Sequence, residues 1–257
     1  MNQVFGSAYA DVYDALYADK DYVAECDLVE SIFRQYRDNS IHSVLDLGCG
    51  TGNYAFLLSR RGYEVLGIER SASMLGQAKE KLGSVAEHEK IRFQQGDIKT
   101  VQLGRRFDAA LMMFAVLGYQ LENADVLAAL KSARQHLTEK GLLIFDVWFG
   151  PSVVHERPTQ RAKVSAINGD KVLKFSSGEL NIMQHSCSVN LRVWRLAGDR
   201  LLSETEEVHL MRYFFPQELR LFLECAGFTL VRLGAFPELH KEPDETTWNV
   251  LAVARAV

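Results

Sequence analysis

The sequence predicts an α/β fold: a seven-stranded sheet with helices on both faces, interrupted by an antiparallel β insertion before the last helix. Three observations predict it. Short apolar runs alternate with helical-period segments over most of the chain. A turn of alternating glycines, Gly48-Cys49-Gly50-Thr51-Gly52, joins the first apolar run to the helix that follows. Between residues 150 and 213 the pattern changes to period two, with turn signals at Asn168-Gly169-Asp170 and Ala197-Gly198-Asp199.

Taken in order, Met1 to Tyr36 reads as helical, with Tyr9, Tyr13 and Tyr17 on one face. Val44 to Leu47 is a buried strand, Asn53 to Arg60 the next helix, and Tyr63 to Glu69 the second strand. Ser71 to Leu82 carries Met74, Leu75, Ala78 and Leu82 at helical period and closes at Gly83. The stretch Ile91 to Ile98 carries the third strand, and Phe107 to Met112 is a further one. Asp125 to Thr138 is helical, through Leu127, Leu130, Ala133 and Leu137, and Leu142 to Val147 follows as a strand. After the insertion, Pro216 suits a first helical position, and that helix stops at Gly227. Phe228 to Leu233 and Trp248 to Ala254 complete a sheet expected to be parallel. The chain reads as one domain, 1–257, with an N-terminal helical cap over 1–43 and the β insertion over 150–213.

Composition narrows the function. A net charge of −4 and no long Lys/Arg run argue against a nucleic-acid partner and favour a small-molecule substrate. Cys26, Cys49, Cys187 and Cys225 form no Cys-x-x-Cys pair, and no His-x-x-x-His occurs, so neither a metal site nor a disulfide framework is expected. The N-terminus has no signal-peptide profile, and the longest apolar run, Ala109 to Gly118, is too short for a bilayer. The expected setting is cytoplasmic, without a membrane partner.

The glycine spacing is Gly-x-Gly-x-Gly, not the Gly-x-Gly-x-x-Gly that seats a dinucleotide pyrophosphate. Asp46 would repel a polyphosphate and attract an ammonium group, and Glu69 ends the second strand where a carboxylate accepts both ribose hydroxyls. The cofactor should carry a ribose and a cation.

With these residues the chain resembles the Rossmann-like, class I S-adenosylmethionine-dependent methyltransferases. The resemblance implies S-adenosylmethionine as cofactor, cradled by Gly48, Gly50 and Gly52, with Asp97 accepting from the adenine amino group and Ile98 on its ring. Met113 would line the methionine part, Lys20 would meet the cofactor carboxylate, and Met74 is grouped with these cofactor contacts. The Asn/Asp-Pro-Pro-Tyr/Phe signature of planar-nitrogen methylation is missing, which favours a saturated amine or a hydroxyl.

The likeness narrows to the N,N-dimethyltransferases of nucleotide-linked deoxyamino sugars through Ala10-Asp11-Val12-Tyr13-Asp14, Lys20-Asp21-Tyr22, Met113-Phe114, Gly118-Tyr119, Val147-Trp148-Phe149-Gly150-Pro151 and Val208-His209-Leu210. It implies substrate contacts at Tyr13 and Trp148 and places Tyr119 near the acceptor nitrogen. Tyr119 is either an orienting partner or a base, and His209 either a cleft base or a packing histidine. Tyr13 and Trp148 also read as packing residues, a helical stripe and a core cap. The expected reaction is N-methylation of such an amino sugar. The alternatives are an O-methyltransferase, an amino-acid N-methyltransferase and a non-catalytic S-adenosylmethionine-binding protein. The insertion either covers the active site or pairs with a second copy in a homodimer.

Overall fold

The computed structural model describes residues 4–37, 40–84 and 90–257. The parts of the helical cap at 1–3 and 38–39 lie outside the described residues. Two helices open the chain, α1 (Ser7–Leu16) and α2 (Tyr22–Tyr36). The helical stretch expected there is two helices, the second started by Asp21, whose carboxylate accepts from Ala24 N at 2.9 Å.

β1 (Ser43–Leu47), α3 (Asn53–Arg60), β2 (Glu64–Glu69), α4 (Ala72–Gly83), β3 (Ile91–Gln95) and β4 (Phe107–Met112) then alternate. α5 (Asn123–Gln135) leads into β5 (Leu137–Trp148), which starts five residues before the expected Leu142. Leu137 is buried as a strand residue paired with Phe107, and the ladder shifts before resuming at Ala109 and Leu142. Helical spacing up to Leu137 therefore concealed the strand start, since the position is apolar in either reading.

Seven strands form one sheet in the order β10-β11-β5-β4-β1-β2-β3, with β10 at Phe228–Ala235 and β11 at Asn249–Ala256. The expectation of a parallel sheet holds for the alternating elements β1 to β5 and does not extend to β11, which runs antiparallel to both β5 and β10. No helix separates β10 from β11, so no crossover carries the chain back to the starting edge. Two apolar layers cover the sheet, one built on α5 and α7 (Pro216–Cys225), the other on α2 and α3.

α6 (Gly150–Glu156) opens the insertion, and β6 (Arg161–Ile167), β7 (Asp170–Asn181), β8 (Ser186–Ala197) and β9 (Arg200–Arg212) form an antiparallel sheet in that order. Its turns match the sequence signals: Asn168 and Gly169 both have positive φ, 49° and 88°, as a two-residue hairpin turn with right-handed strand twist requires. Alternation along β9 buries Glu207, His209 and Met211 and exposes Val208 and Leu210. Tyr9, Tyr13 and Leu16 of α1 pack with Val172, Leu191 and Val193 of this sheet and with Met74 of α4. α1 is thus held between the insertion and the rim of the main sheet.

Candidate active site

The glycine turn crosses the carboxyl ends of β1 and β2. Gly48 N and Cys49 N donate to Ile68 O at 2.8 and 3.0 Å, locking the turn to β2. Gly48 has φ +78°, and a Cβ there would stand 2.6 Å from Val116, so only glycine lets the next loop close over the turn. Glu69 accepts from Gly50 N at 3.0 Å and Ser71 N at 2.7 Å, which fixes its carboxylate beside the turn. Gly96 N donates to Glu69 O at 3.0 Å, and this brings Asp97 alongside. Asp97 closes on Lys99 N at 2.9 Å, while Ile98 is buried with Ile68 and Val101.

Asp46 is 1% exposed, and its Oδ2 has no hydrogen-bond partner. Burial, with the nearby Glu69 charge, pushes its carboxyl up to about 7. Such an oxygen is costly to leave alone and suits a cationic donor. An ammonium-bearing nucleoside cofactor fits these acceptors, with Asp46 for the cation and Glu69 for vicinal hydroxyls. Met74 is buried, its Cε 3.5 Å from where a Gly50 Cβ would stand.

Met113 is buried at the end of β4, and Phe114 and Ala115 follow with φ of 72° and 56°. Two consecutive non-glycine residues in the left-handed region are strained. Asp146, buried in β5, accepts from both of their amides, Ala115 N at 3.1 Å, and holds the turn in place. Burial pushes the Asp146 carboxyl up to about 6. Lys20 lies over the Phe114 ring at 5.0 Å and the Tyr22 ring at 5.1 Å, and its ammonium is ion-paired with Glu25. Tyr54 donates to the other oxygen of Glu25.

A 3-10 turn, Val116–Tyr119, then delivers Tyr119 to β9. Gly118 permits the approach, because a Cβ there would meet the Arg212 carbonyl oxygen at 3.0 Å. Tyr119 OH and His209 Nδ1 are 2.8 Å apart, and His209 Nε2 is 2.8 Å from Glu207 Oε2. A carboxylate only accepts, so Nε2 carries a proton, and in the neutral form of the imidazole Nδ1 accepts from the tyrosine. Glu207 also accepts from Phe5 N at 2.9 Å and Gly6 N at 2.8 Å. Burial, with lesser effects of Tyr17, Glu207 and Glu69, raises the Tyr119 phenol well above its ordinary range, and Tyr13 is raised by burial likewise. Phe5 bridges the two residues, its ring 5.5 Å from Tyr119 and 6.4 Å from Tyr13.

Of the residues singled out from the sequence, the structure gathers Asp46, Gly48, Gly50, Gly52, Glu69, Met74 and Asp97 at one rim and Tyr13, Tyr119 and His209 around Phe5. Trp148 is half-buried at the end of β5, its ring edge-on to Trp248 at 5.5 Å. Glu207, Asp146 and Phe5 went unnoticed in the sequence. Glu207 and His209 are spaced i, i+2 on a strand, a signal that was available, and Asp146 is a lone acid inside an apolar strand. Phe5 carries no such mark. Among the described residues, no His, Cys, Asp or Glu cluster is arranged to hold a metal, and no helix is long and apolar enough to cross a membrane.

A largely parallel sheet of this order, with a glycine turn and two strand-end acids at its carboxyl rim, defines a Rossmann-like domain for a nucleoside cofactor. A methyltransferase-domain family model matches residues 44–141. The dTDP-3-amino-3,4,6-trideoxy-alpha-D-glucopyranose N,N-dimethyltransferase of Streptomyces venezuelae is 33% identical over 233 residues, 89% of this chain and 93% of the relative. The solved structure of Streptomyces venezuelae DesVI superposes with a TM-score of 0.79 at 25% identity, covering 95% of this chain and 97% of that one. A Clostridium acetobutylicum S-adenosylmethionine-dependent methyltransferase shares the fold, with a TM-score of 0.82 at 20% identity over 97% of this chain and 98% of its own. The chain belongs to the class I S-adenosylmethionine-dependent methyltransferases, and S-adenosylmethionine is its cofactor.

Proposed function

We propose that the enzyme methylates the amino group of a nucleotide-linked amino sugar. The observation that carries this reading is the Tyr119–His209 pair, a phenol oxygen within hydrogen-bond reach of an imidazole nitrogen at 2.8 Å. The 33% identity to an amino-sugar N,N-dimethyltransferase supports the acceptor class.

In this reading Glu69 accepts the ribose hydroxyls, Asp97 the adenine amino group and Asp46 the amino-acid ammonium. Gly48, Gly50 and Gly52 let the cofactor approach bare backbone, Ile98 meets the adenine, Met74 and Met113 flank the cofactor, and Lys20 lies toward its carboxylate end. The bound cofactor supplies an electrophilic methyl on a sulfonium. The chain's own task is to hold an amine lone pair in line with it and to exclude water. Tyr13 and Trp148 contact the sugar nucleotide, and the Tyr119 oxygen accepts an amine N–H, which orients the lone pair. As the nitrogen becomes an ammonium, its proton passes to Tyr119 Oη while the tyrosine proton moves to His209 Nδ1. His209 then carries protons on both nitrogens, with Glu207 balancing its charge.

The test is turnover with S-adenosylmethionine against dTDP-3-amino-3,4,6-trideoxyglucose, a sugar nucleotide with a hydroxyl at the same carbon, and free amino acids, with products weighed by mass spectrometry. Mono- and dimethylated aminosugar nucleotide is the expected result. Methylation confined to the hydroxyl compound or to amino acids overturns the reading.

A further inference from the structure

We propose that Glu207 is a positioning residue that sets the tautomer of His209 and, through the backbone of Phe5 and Gly6, ties the acceptor side of the cleft to the cofactor side. The proposal rests on the reading of Tyr119 and His209 given above.

An unbroken hydrogen-bonded path connects the two sides. Glu69 Oε1 accepts from Ser71 N at 2.7 Å, and Ser71 Oγ donates to Phe5 O at 2.8 Å. Phe5 N donates to Glu207 Oε2 at 2.9 Å and Gly6 N to Oε1 at 2.8 Å. The same Oε2 accepts from His209 Nε2, whose ring accepts from Tyr119 through Nδ1, both at 2.8 Å. Glu207 and His209 are 5% and 4% exposed, so water does not replace these partners readily.

Three donors converge on one carboxylate. An amide in its place would turn one acceptor into a donor facing a backbone N–H or the imidazole N–H, and the arrangement could not persist. Phe5 sits at φ 61°, a conformation that an ordinary residue keeps only when its surroundings hold it. Its ring lies edge-on to His209 at 5.0 Å, so the same residue that bridges to Ser71 also walls the imidazole. The groups facing the pair from the surrounding elements are Tyr9 of α1 and Tyr17 just after it, Glu69 at the end of β2, Arg70 after it, and Glu207 itself. Among these only the Glu207 carboxylate reaches the imidazole Nε2.

Nuclear magnetic resonance of side-chain 15N-histidine in the full-length protein, at a pH where the imidazole is neutral, tests the assignment. The native protein should show His209 protonated on Nε2 alone, and Glu207→Gln should show mixed tautomers. With dTDP-3-amino-3,4,6-trideoxyglucose as acceptor, kcat should fall about tenfold or more in Glu207→Gln. Calorimetric affinity for S-adenosylhomocysteine should fall about threefold as Phe5 leaves Ser71. An unchanged tautomer in Glu207→Gln overturns the proposal. A changed tautomer with unchanged kcat leaves Glu207 its positioning role and instead overturns the proton-accepting role of Tyr119 and His209.

Should circular dichroism show that Glu207→Gln does not fold, Ser71→Ala serves as the second variant. It removes the hydroxyl that donates to Phe5 O at 2.8 Å and leaves the Glu207–His209 contact in place. About threefold weaker S-adenosylhomocysteine binding with the Nε2 tautomer retained is expected, and unchanged affinity overturns the tie between the two sides.

Discussion

Asp46 and Tyr119 differ in what burial does for them. The Tyr119 phenol is raised by burial and finds an acceptor in His209, so it remains a neutral hydrogen-bonding group through the physiological range. Tyr119→Phe should therefore lower kcat about 10- to 100-fold while cofactor affinity changes less than about twofold, as read by steady-state kinetics and calorimetry. Asp46 has an unpartnered buried oxygen and a carboxyl pushed up to about 7. Its folded value lies above its unfolded one, so the contribution of Asp46 to stability of the cofactor-free protein is full in acid and is lost as pH rises through about 7. Cofactor binding should show the opposite trend, strengthening over the same interval as the carboxylate forms. Asp46→Asn should flatten both curves, raise the melting temperature of the cofactor-free protein above neutrality, and weaken S-adenosylmethionine about 10- to 100-fold, the usual worth of a charge-assisted hydrogen bond.

Two turns at the carboxyl rim decide where the reactive elements stand. The Phe114–Ala115 turn keeps its left-handed backbone because Asp146 accepts both amides from within β5. Asp146→Ala would leave two amides without their acceptor and release the strain, and unfolding by urea should show a loss of about 2–4 kcal/mol. The turn carrying Tyr119 depends on Gly118, where an added Cβ would meet the Arg212 carbonyl oxygen and Met211 Cε, each at 3.0 Å. Gly118→Ala should push Tyr119 off His209 by a few tenths of an ångström. Its expected effect is a loss of about tenfold or more in kcat/KM with little change in melting temperature, because activity is more sensitive than stability to sub-ångström misplacement.

For the whole molecule, α1 is the joint between two sheets, packing Tyr9, Tyr13 and Leu16 against the insertion and against Met74 of α4. A cofactor held by residues that only the fold brings together binds the folded chain alone. S-adenosylmethionine at about 100 times its Kd should stabilise the protein by about 2.7 kcal/mol, a rise of several degrees in melting temperature measurable by calorimetry. Replacing Glu69 by Ala should abolish most of that rise.

That the glycine turn, Asp46 and Glu69 meet at one rim was legible in the sequence because the ends of neighbouring strands lie side by side, and Asp97 was placed there by the family resemblance. Period-two alternation likewise put His209 and Met211 on one face of β9, and both are buried. Direction and starting point of strands were less accessible. The reversal of β11 and the early start of β5 at Leu137 are settled by which strand each one pairs with, and an apolar run reads the same in either direction.

By itself, then, the sequence determined the α/β class, the glycine turn at the strand ends and the placement of the insertion, all products of short-range periodicity and turn chemistry. Tertiary structure alone decided that Phe5, Tyr119, Glu207 and His209 share one hydrogen-bonded group. Those residues lie on three elements far apart in the chain, and no local pattern relates them. Their meeting is fixed by the insertion folding back over α1, and there a buried carboxylate has no water to satisfy it and takes the donors that packing brings within reach.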